Sequence, residues 1–236
     1  MGGSRAVPYL TKSQIRREAA VLLSEYGAQH VPVTRPPVPV DDILEIHQRL
    51  TFKIMDLTAL FGHGDVLGAI WMKERTVAVD RSLDPALHPH CLGRFRFTVA
   101  HEVAHWRLHR RQFTDDASQG AMFAPEAPPA YICRSSASKE PVEWQADYFA
   151  GQLLMPSNLL RATWEAWRGN LNPVDVEEVR CGAGGPQSAD AAATLFERFV
   201  RPLAGTFEVS AAAMRIRLEE LGLLVGDKTE LLFRGT

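Results

Sequence analysis

Residues 97–109 read FTVAHEVAHWRLH, and what this stretch is for decides what the chain is built around. Phe97, Ala100, Ala104 and Leu108 recur at helical spacing, so an ordinary core helix should also carry apolar residues at 101 and 105, which share that face. It carries His101 and His105 instead. Side chains at i and i+4 leave a helix on one side with Cβ atoms about 6 Å apart, close enough for two imidazoles to meet on one tetrahedral zinc ion. Glu102 projects about 100° away around the axis. From there it is no ligand of that face, but it can lie beside a metal-activated water as its general base.

A catalytic zinc needs a third protein ligand and keeps a fourth position open. In the metzincin pattern a histidine six positions after the second supplies it, but Arg111 stands there. His109 lies eight residues from His101, about 12 Å along the axis, too far to share the ion; it reads as a supporting, substrate-side or surface residue. The better source is residues 141–156, PVEWQADYFAGQLLMP. Glu143 and Asp147 are four apart and share a face, while Ala146, Phe149, Ala150, Leu153 and Leu154 form an apolar surface that can hold this helix against the first. Two carboxylates on a buried-looking face need a compensating partner. Glu143 completes a His2Glu site, and Asp147 can accept the free N–H of a ligand imidazole. Glu140 competes for the ligand role, but Pro141 after it places it at the helix start, where acidic residues serve capping.

Working outward, residues 11–26 (TKSQIRREAAVLLSEY) form an amphipathic helix ending at Gly27, and DDILEIHQRL (41–50) a short one capped by Asp41 or Asp42. TFKIMDL, VLGAIWM and TVAVD read as strands, the last two joined as a hairpin through Lys73–Arg75. GAIWM (68–72) could offer an exposed edge to an extended peptide. Residues 114–138 lack periodicity and read as a long loop of the lid type. Helical runs close the chain: SNLLRATWEAW, ADAAATLFERFV and SAAAMRIRLEELGLL, with CGAGGPQS as a break. The expected class is α+β: a small three-stranded antiparallel sheet on a helical core. Residues 1–160 are expected to form the metal-bearing domain and 161–236 a helical C-terminal region.

With 26 basic against 28 acidic residues, the chain has no global charge suited to nucleic acid or a membrane surface. Arg215 and Arg217 invite comparison with a DNA-reading helix, yet Glu219 and Glu220 follow at once, and Met214, Leu218 and Leu221 form a core stripe; packing is the expected role and direct DNA binding is not. Cys91, Cys133 and Cys181 are odd in number and widely spaced, so they read as reduced, inert core thiols. His88 and His90 read as solvated loop residues. No apolar run could span a bilayer, and the N-terminal stretch is charged where a secretory signal is apolar, so a cytoplasmic protein is expected.

Together, FTVAHEVAHWRLH and EWQADYFAGQLLMP (143–156) resemble the ImmA/IrrE family of small bacterial zinc metallopeptidases, closest over residues 94–156. The family pattern is a His-Glu-x-x-His helix, then Glu-x-x-Ala-Asp/Asn-x-Phe-Ala ending in Leu-Leu-Met-Pro. The resemblance implies a gluzincin-like metalloendopeptidase with His101, His105 and Glu143 as metal ligands, Glu102 as general base and Asp147 orienting a ligand. It also implies a protein substrate, a helix-turn-helix transcriptional repressor, cut or inactivated in a stress response or mobile element. Residues 157–236 are too short and too helical for the sensor domain of the radiation-response branch. Zinc is the expected metal, and the same ligands accept manganese. Tyr148, Tyr131, His109 and Arg96 are candidates for stabilising an oxyanion. The alternative is a metal-dependent regulator or toxin–antitoxin component that binds a transcription factor without cutting it. The two differ at the metal, because a structural zinc is closed by four protein ligands.

Overall fold

The computed structural model describes residues 9–62, 65–111, 131–134, 140–182 and 192–226. Two compact units divide them, one drawn from Met1–Val33 and Val38–Leu154, the other from Thr34–Pro37 and Met155–Thr236.

The first unit opens with α1 (Lys12–Gln29). Its entry is fixed by a capping box, in which the Thr11 hydroxyl accepts the Gln14 N–H and the Gln14 side chain accepts the Thr11 N–H. Ile15, Ala19, Leu22 and Tyr26 are its buried face. A short helix, α2 (Val40–Asp42), runs on into a π-turn over Ile43–His47. Four strands follow: β1 (Thr51–Met55), β2 (Val66–Trp71), β3 (Thr76–Asp80) and β4 (Tyr131–Arg134), with α3 (Leu57–Phe61) between the first two.

The α+β class holds, but the sheet is mixed and four-stranded, in the order β1-β3-β2-β4, where three antiparallel strands were expected. Two physical causes account for the difference. The five-residue α3, capped by Asp56 and ended by left-handed Gly62, carries the chain past the neighbouring lane, so the β2–β3 hairpin returns β3 into the place beside β1, parallel to it. The fourth strand lies inside the stretch read as a loop: Tyr131–Arg134 pairs antiparallel with β2. The rest of that stretch lies outside the described residues. β2 is therefore an interior strand, not the exposed edge its sequence suggested.

Both sheet faces are covered, which is why β2 and β3 are apolar almost throughout. Ala69 and Ala78 pack with Leu57 of α3 on one side. On the other runs α4 (Leu92–His109), buried nearly all the way round. Strand and helix come so close that a Cβ on Gly68 would lie 2.6 Å from Glu102 Oε1 and 2.7 Å from Thr98 Cγ2, so only glycine fits there. α4 is tied to α1 by Arg107, whose guanidinium forks onto Glu25 at 2.8 and 3.0 Å and reaches Glu18 at 3.2 Å. α5 (Pro141–Leu154) begins at a proline, as first-turn positions allow, and packs against both α4 and α1.

The second unit holds α6 (Ser157–Arg168), β5 (Val174–Asp175), α7 (Val176–Gly182), α8 (Ala192–Phe199), α9 (Arg201–Phe207), α10 (Ala211–Glu220) and β6 (Leu224–Val225). β5 and β6 pair in parallel. Fully buried Trp164 meets Trp167 and Phe199 edge-on. On α10, Arg217 is buried and donates to the Met155 carbonyl, the Ser157 hydroxyl and the Glu220 carboxylate. Arg215 pairs with Glu197 and Glu219. Both arginines offered by the sequence for DNA contact are thus spent inside this unit.

Asp80 closes β3 and is nearly fully buried. Its carboxylate accepts the N–H groups of Leu57 (2.8 Å), Thr58 (3.3 Å) and Ser82 (2.9 Å), holding the start of α3 against the end of β3. Burial pushes its pKa up, but hydrogen bonds from the Ser82 hydroxyl and these N–H groups outweigh it and leave the carboxyl below the usual range. A depressed folded-state value stabilises the fold above the unfolded aspartate value near about 4, and this contribution is lost as pH falls through the lower folded value. Replacing Asp80 with Ala should cost about 1–3 kcal/mol at neutral pH. In thermal melts the gap between variant and wild type should shrink on acidification.

Candidate metal centre

Two helices build the site. His101 and His105 stand one turn apart on α4, 1% and 0% exposed, and Glu143 rises from the first turn of α5. His101 Nε2 lies 3.1 Å from Glu143 Oε2, His105 Nε2 lies 3.5 Å from Glu143 Oε1, and the two Nε2 atoms are 2.9 Å apart. Glu140, the rival carboxylate, is exposed just before α5, its carbonyl accepting the Glu143 and Trp144 N–H groups.

The outer nitrogens of these imidazoles show which lone pairs face inward. His101 Nδ1 lies 3.0 Å from Asp147 Oδ1, so it carries the proton and leaves Nε2 as the inward atom. For His105 the constraint comes through two further residues. Gln145 Oε1 accepts from His109 Nε2 at 3.2 Å, which leaves His109 Nδ1 bare; it in turn accepts from His105 Nδ1 at 3.1 Å. His105 Nε2 is then also bare. Two imidazole lone pairs at 2.9 Å beside a carboxylate repel unless a cation joins them. A divalent ion suits this set, and the described residues include these three donors as a group whose ligand atoms lie within 4.8 Å of one another.

The titration of the groups carries the same imprint. Burial opposes a charge on His101, yet Cys133, Asp147 and Glu143 together raise it well above the ordinary imidazole value, so a proton fills the gap when no metal does. His105 is pushed down to about 3, chiefly by burial. Burial would raise Glu143, but its hydrogen bonds to His101 and His105 hold it well below the usual carboxylate range. Glu102 differs from all of these. It is fully buried, neither carboxylate oxygen has a hydrogen-bond partner among the described residues, and burial pushes it up to about 8.

His101, Glu102, His105, Glu143 and Asp147 thus come together as one cluster, and His109 stands behind His105 as the residue that sets its tautomer. Gln145 was not picked out by sequence, because it lies about 200° round the helix from Glu143. Its signal was its position on the apolar face of Val142, Ala146 and Phe149, all buried as it is. Cys133, read as an inert core thiol, sits against His101 and Glu102, while Cys181 is exposed. Among the oxyanion candidates, Arg96 donates to the Val38 carbonyl, Tyr148 accepts from Arg16, and His109 is engaged as above. The Tyr131 side chain lies outside the described residues. His88 and His90 contact each other in the turn before α4 and join no donor group among the described residues.

Residues 86–219, more than half of the chain, match the family model Peptidase_M78, described as the IrrE N-terminal-like domain. A comparison with curated proteins finds no significant match.

Replacing Gln145 with Leu removes the acceptor that orients His109 and, through it, His105. Metal affinity measured by competition with a chromophoric chelator should fall roughly 10–100-fold. An unchanged affinity would show that the tautomer of His105 is set in another way.

Proposed function

The chain belongs to the Peptidase_M78, IrrE N-terminal-like family, a metallopeptidase family, and from that premise we propose that it is a zinc-dependent endopeptidase acting on a specific regulatory protein. The substrate class we propose is a helix-turn-helix transcriptional repressor, whose cleavage relieves repression in a stress response or mobile element. The sequence resemblance supports this reading of the substrate.

His101, His105 and Glu143 would hold the ion, Asp147 orienting the first and the Gln145–His109 pair the second. When bound, a divalent ion supplies Lewis acidity and lowers the pKa of water in its open position toward about 7. A cation held beside Glu102 would lower its carboxyl from the metal-free value of about 8 and keep it ionised, so that it accepts the proton of the attacking water and returns it to the leaving amine of the cut peptide. The chain's own contribution is therefore a proton carrier held at one place, without a hydrogen-bond partner among the described residues.

The observation that carries this reading is Glu102, fully buried beside the donor group with neither oxygen hydrogen-bonded among the described residues. Leaving a carboxyl group without partners inside a protein costs about 1–3 kcal/mol or more. A site that merely held metal for structure would have no use for that cost. Manganese suits the same donors, and metal identity is a separate matter from the role of Glu102. The described residues include no helix long and apolar enough to cross a membrane.

The test is Glu102→Gln, assayed on the repressor encoded beside this protein. Zinc content should match wild type while cleavage slows by roughly 10²–10⁴-fold. Equal cleavage by the variant would remove Glu102 from the chemistry. A wild type that binds the repressor and leaves it intact would favour the non-cutting regulator.

A further inference from the structure

Trp144 and Tyr148 stack on α5, their ring centroids 5.6 Å apart and their planes 17° from parallel. They form a stripe about 100° round the axis from the stripe of Glu143 and Asp147. Val142, Gln145, Ala146 and Phe149 take the buried side of this helix, whereas Glu143, Trp144, Asp147, Tyr148 and Gly151 are only part-buried. A Cβ added to Gly151 would meet nothing within 4 Å. The side chains of Glu143 and Asp147 are 21% and 32% exposed, against 2% and 0% for His101 and His105. Solvent therefore reaches the donor group on the side of α5 that carries the aromatic pair.

α1 adds charge to that side. Lys12 and Arg16, four apart and both exposed, meet at Tyr148: the Lys12 ammonium stands 5.6 Å from its ring centroid, and Arg16 donates to its hydroxyl at 3.1 Å. No carboxylate pairs with Lys12 among the described residues. Neither cation gains from its place on the helix, since the first turns carry the positive end of the dipole and α1 has no acidic residue in its first turn. The neighbouring carboxylates are engaged elsewhere. Glu143 and Asp147 lie 3.1 and 3.0 Å from His101 nitrogens, and Glu18 accepts from Arg107. Glu140 is about 12 Å down the axis from Tyr148. A flat aromatic surface with a positive edge thus adjoins the metal centre.

We propose that Lys12, Arg16, Trp144 and Tyr148 form a specificity subsite that selects an aspartate or glutamate of the substrate, two to four residues from the bond that is cut. The inference rests on the reading of the metal centre as a peptidase site and names what that site selects.

Reach and chemistry set both parts of it. Tyr148 lies five residues beyond Glu143, about 7.5 Å along the axis. An extended peptide advances about 3.3 Å per residue, so a side chain held at the aromatic pair comes from a few residues beyond the reacting carbonyl. Its methylene groups lie against the rings, and its carboxylate meets the ammonium and the guanidinium fork. A lysine or arginine of the substrate at that place would face two like charges, so the subsite rejects as well as binds.

The test maps, by mass spectrometry of the products, the bond cut in the repressor encoded beside this protein. An aspartate or glutamate should lie two to four residues from it. Changing that residue to Lys should lower kcat/KM roughly tenfold or more, mainly through KM, and so should Lys12→Glu/Arg16→Glu in the full-length, zinc-loaded peptidase. Zinc content and melting temperature of this variant should match wild type. Joining the changed repressor with the variant should recover most of the loss, which a structural effect of either change would not do. Added salt should erode the wild-type preference. No acidic residue in that window, or two losses that add without recovery, would overturn the inference and leave the peptidase reading standing. Binding of intact repressor, measured in the Glu102→Gln background with and without Lys12→Glu/Arg16→Glu, keeps the two readings apart. Binding weakened by charge reversal in a protein whose wild type cuts nothing would support the acid-selecting surface and sink the peptidase; binding indifferent to it would sink the surface.

Discussion

Two imidazole nitrogens 2.9 Å apart, both fully enclosed, are the constraint on which the rest of this structure depends. Lone pairs at that separation repel, and two rings this deeply buried have little bulk solvent around them to screen the repulsion. The outward nitrogens are each anchored, His101 by Asp147 directly and His105 through His109 and Gln145. That anchoring removes the easy escape of rotating a ring or changing its tautomer. What is left is a position that asks for positive charge, which a proton supplies in the metal-free protein and which, in the function proposed, a divalent ion would supply.

The surrounding fold can be understood as what holds that position. α4 is buried on nearly every side because the sheet, α2 and α5 all press on it. The Arg107 fork onto Glu25 and Glu18 ties its solvent side to α1, and Gly68 lets the sheet approach within contact of Glu102. A larger residue at 68 would push the strand off the helix and open the space around Glu102. Stability and chemistry pull apart at this point. An apolar side chain at 102 would suit the packing better than a carboxyl group that makes no hydrogen bond among the described residues.

Much of the site was legible because its residues are local. His101 and His105 share one helix, Glu143 and Asp147 share another, and a spacing of four fixes which side chains lie together. The strands at 51–55, 66–71 and 76–80 were legible from their apolar and β-branched residues. What the sequence hid depends on long-range placement. The parallel pairing of β1 with β3 follows from the route taken through α3, which no local pattern encodes. β4 is four residues inside a stretch of loop-like composition, so neither the strand nor the place of Cys133 could be read. Gln145 was hidden for another reason: it belongs to the packing face of its helix, where a polar residue looks like an exception until its partner His109 is in view.

The account stands on one ion at one place, and anomalous X-ray scattering recorded above and below the zinc absorption edge from crystals of the zinc-loaded protein measures it most directly. The expected result is a single peak per chain, within about 2.0–2.2 Å of His101 Nε2, His105 Nε2 and a Glu143 carboxylate oxygen. A peak elsewhere, such as at the His88–His90 turn, or none between α4 and α5 in a crystal where both helices are ordered, would contradict it.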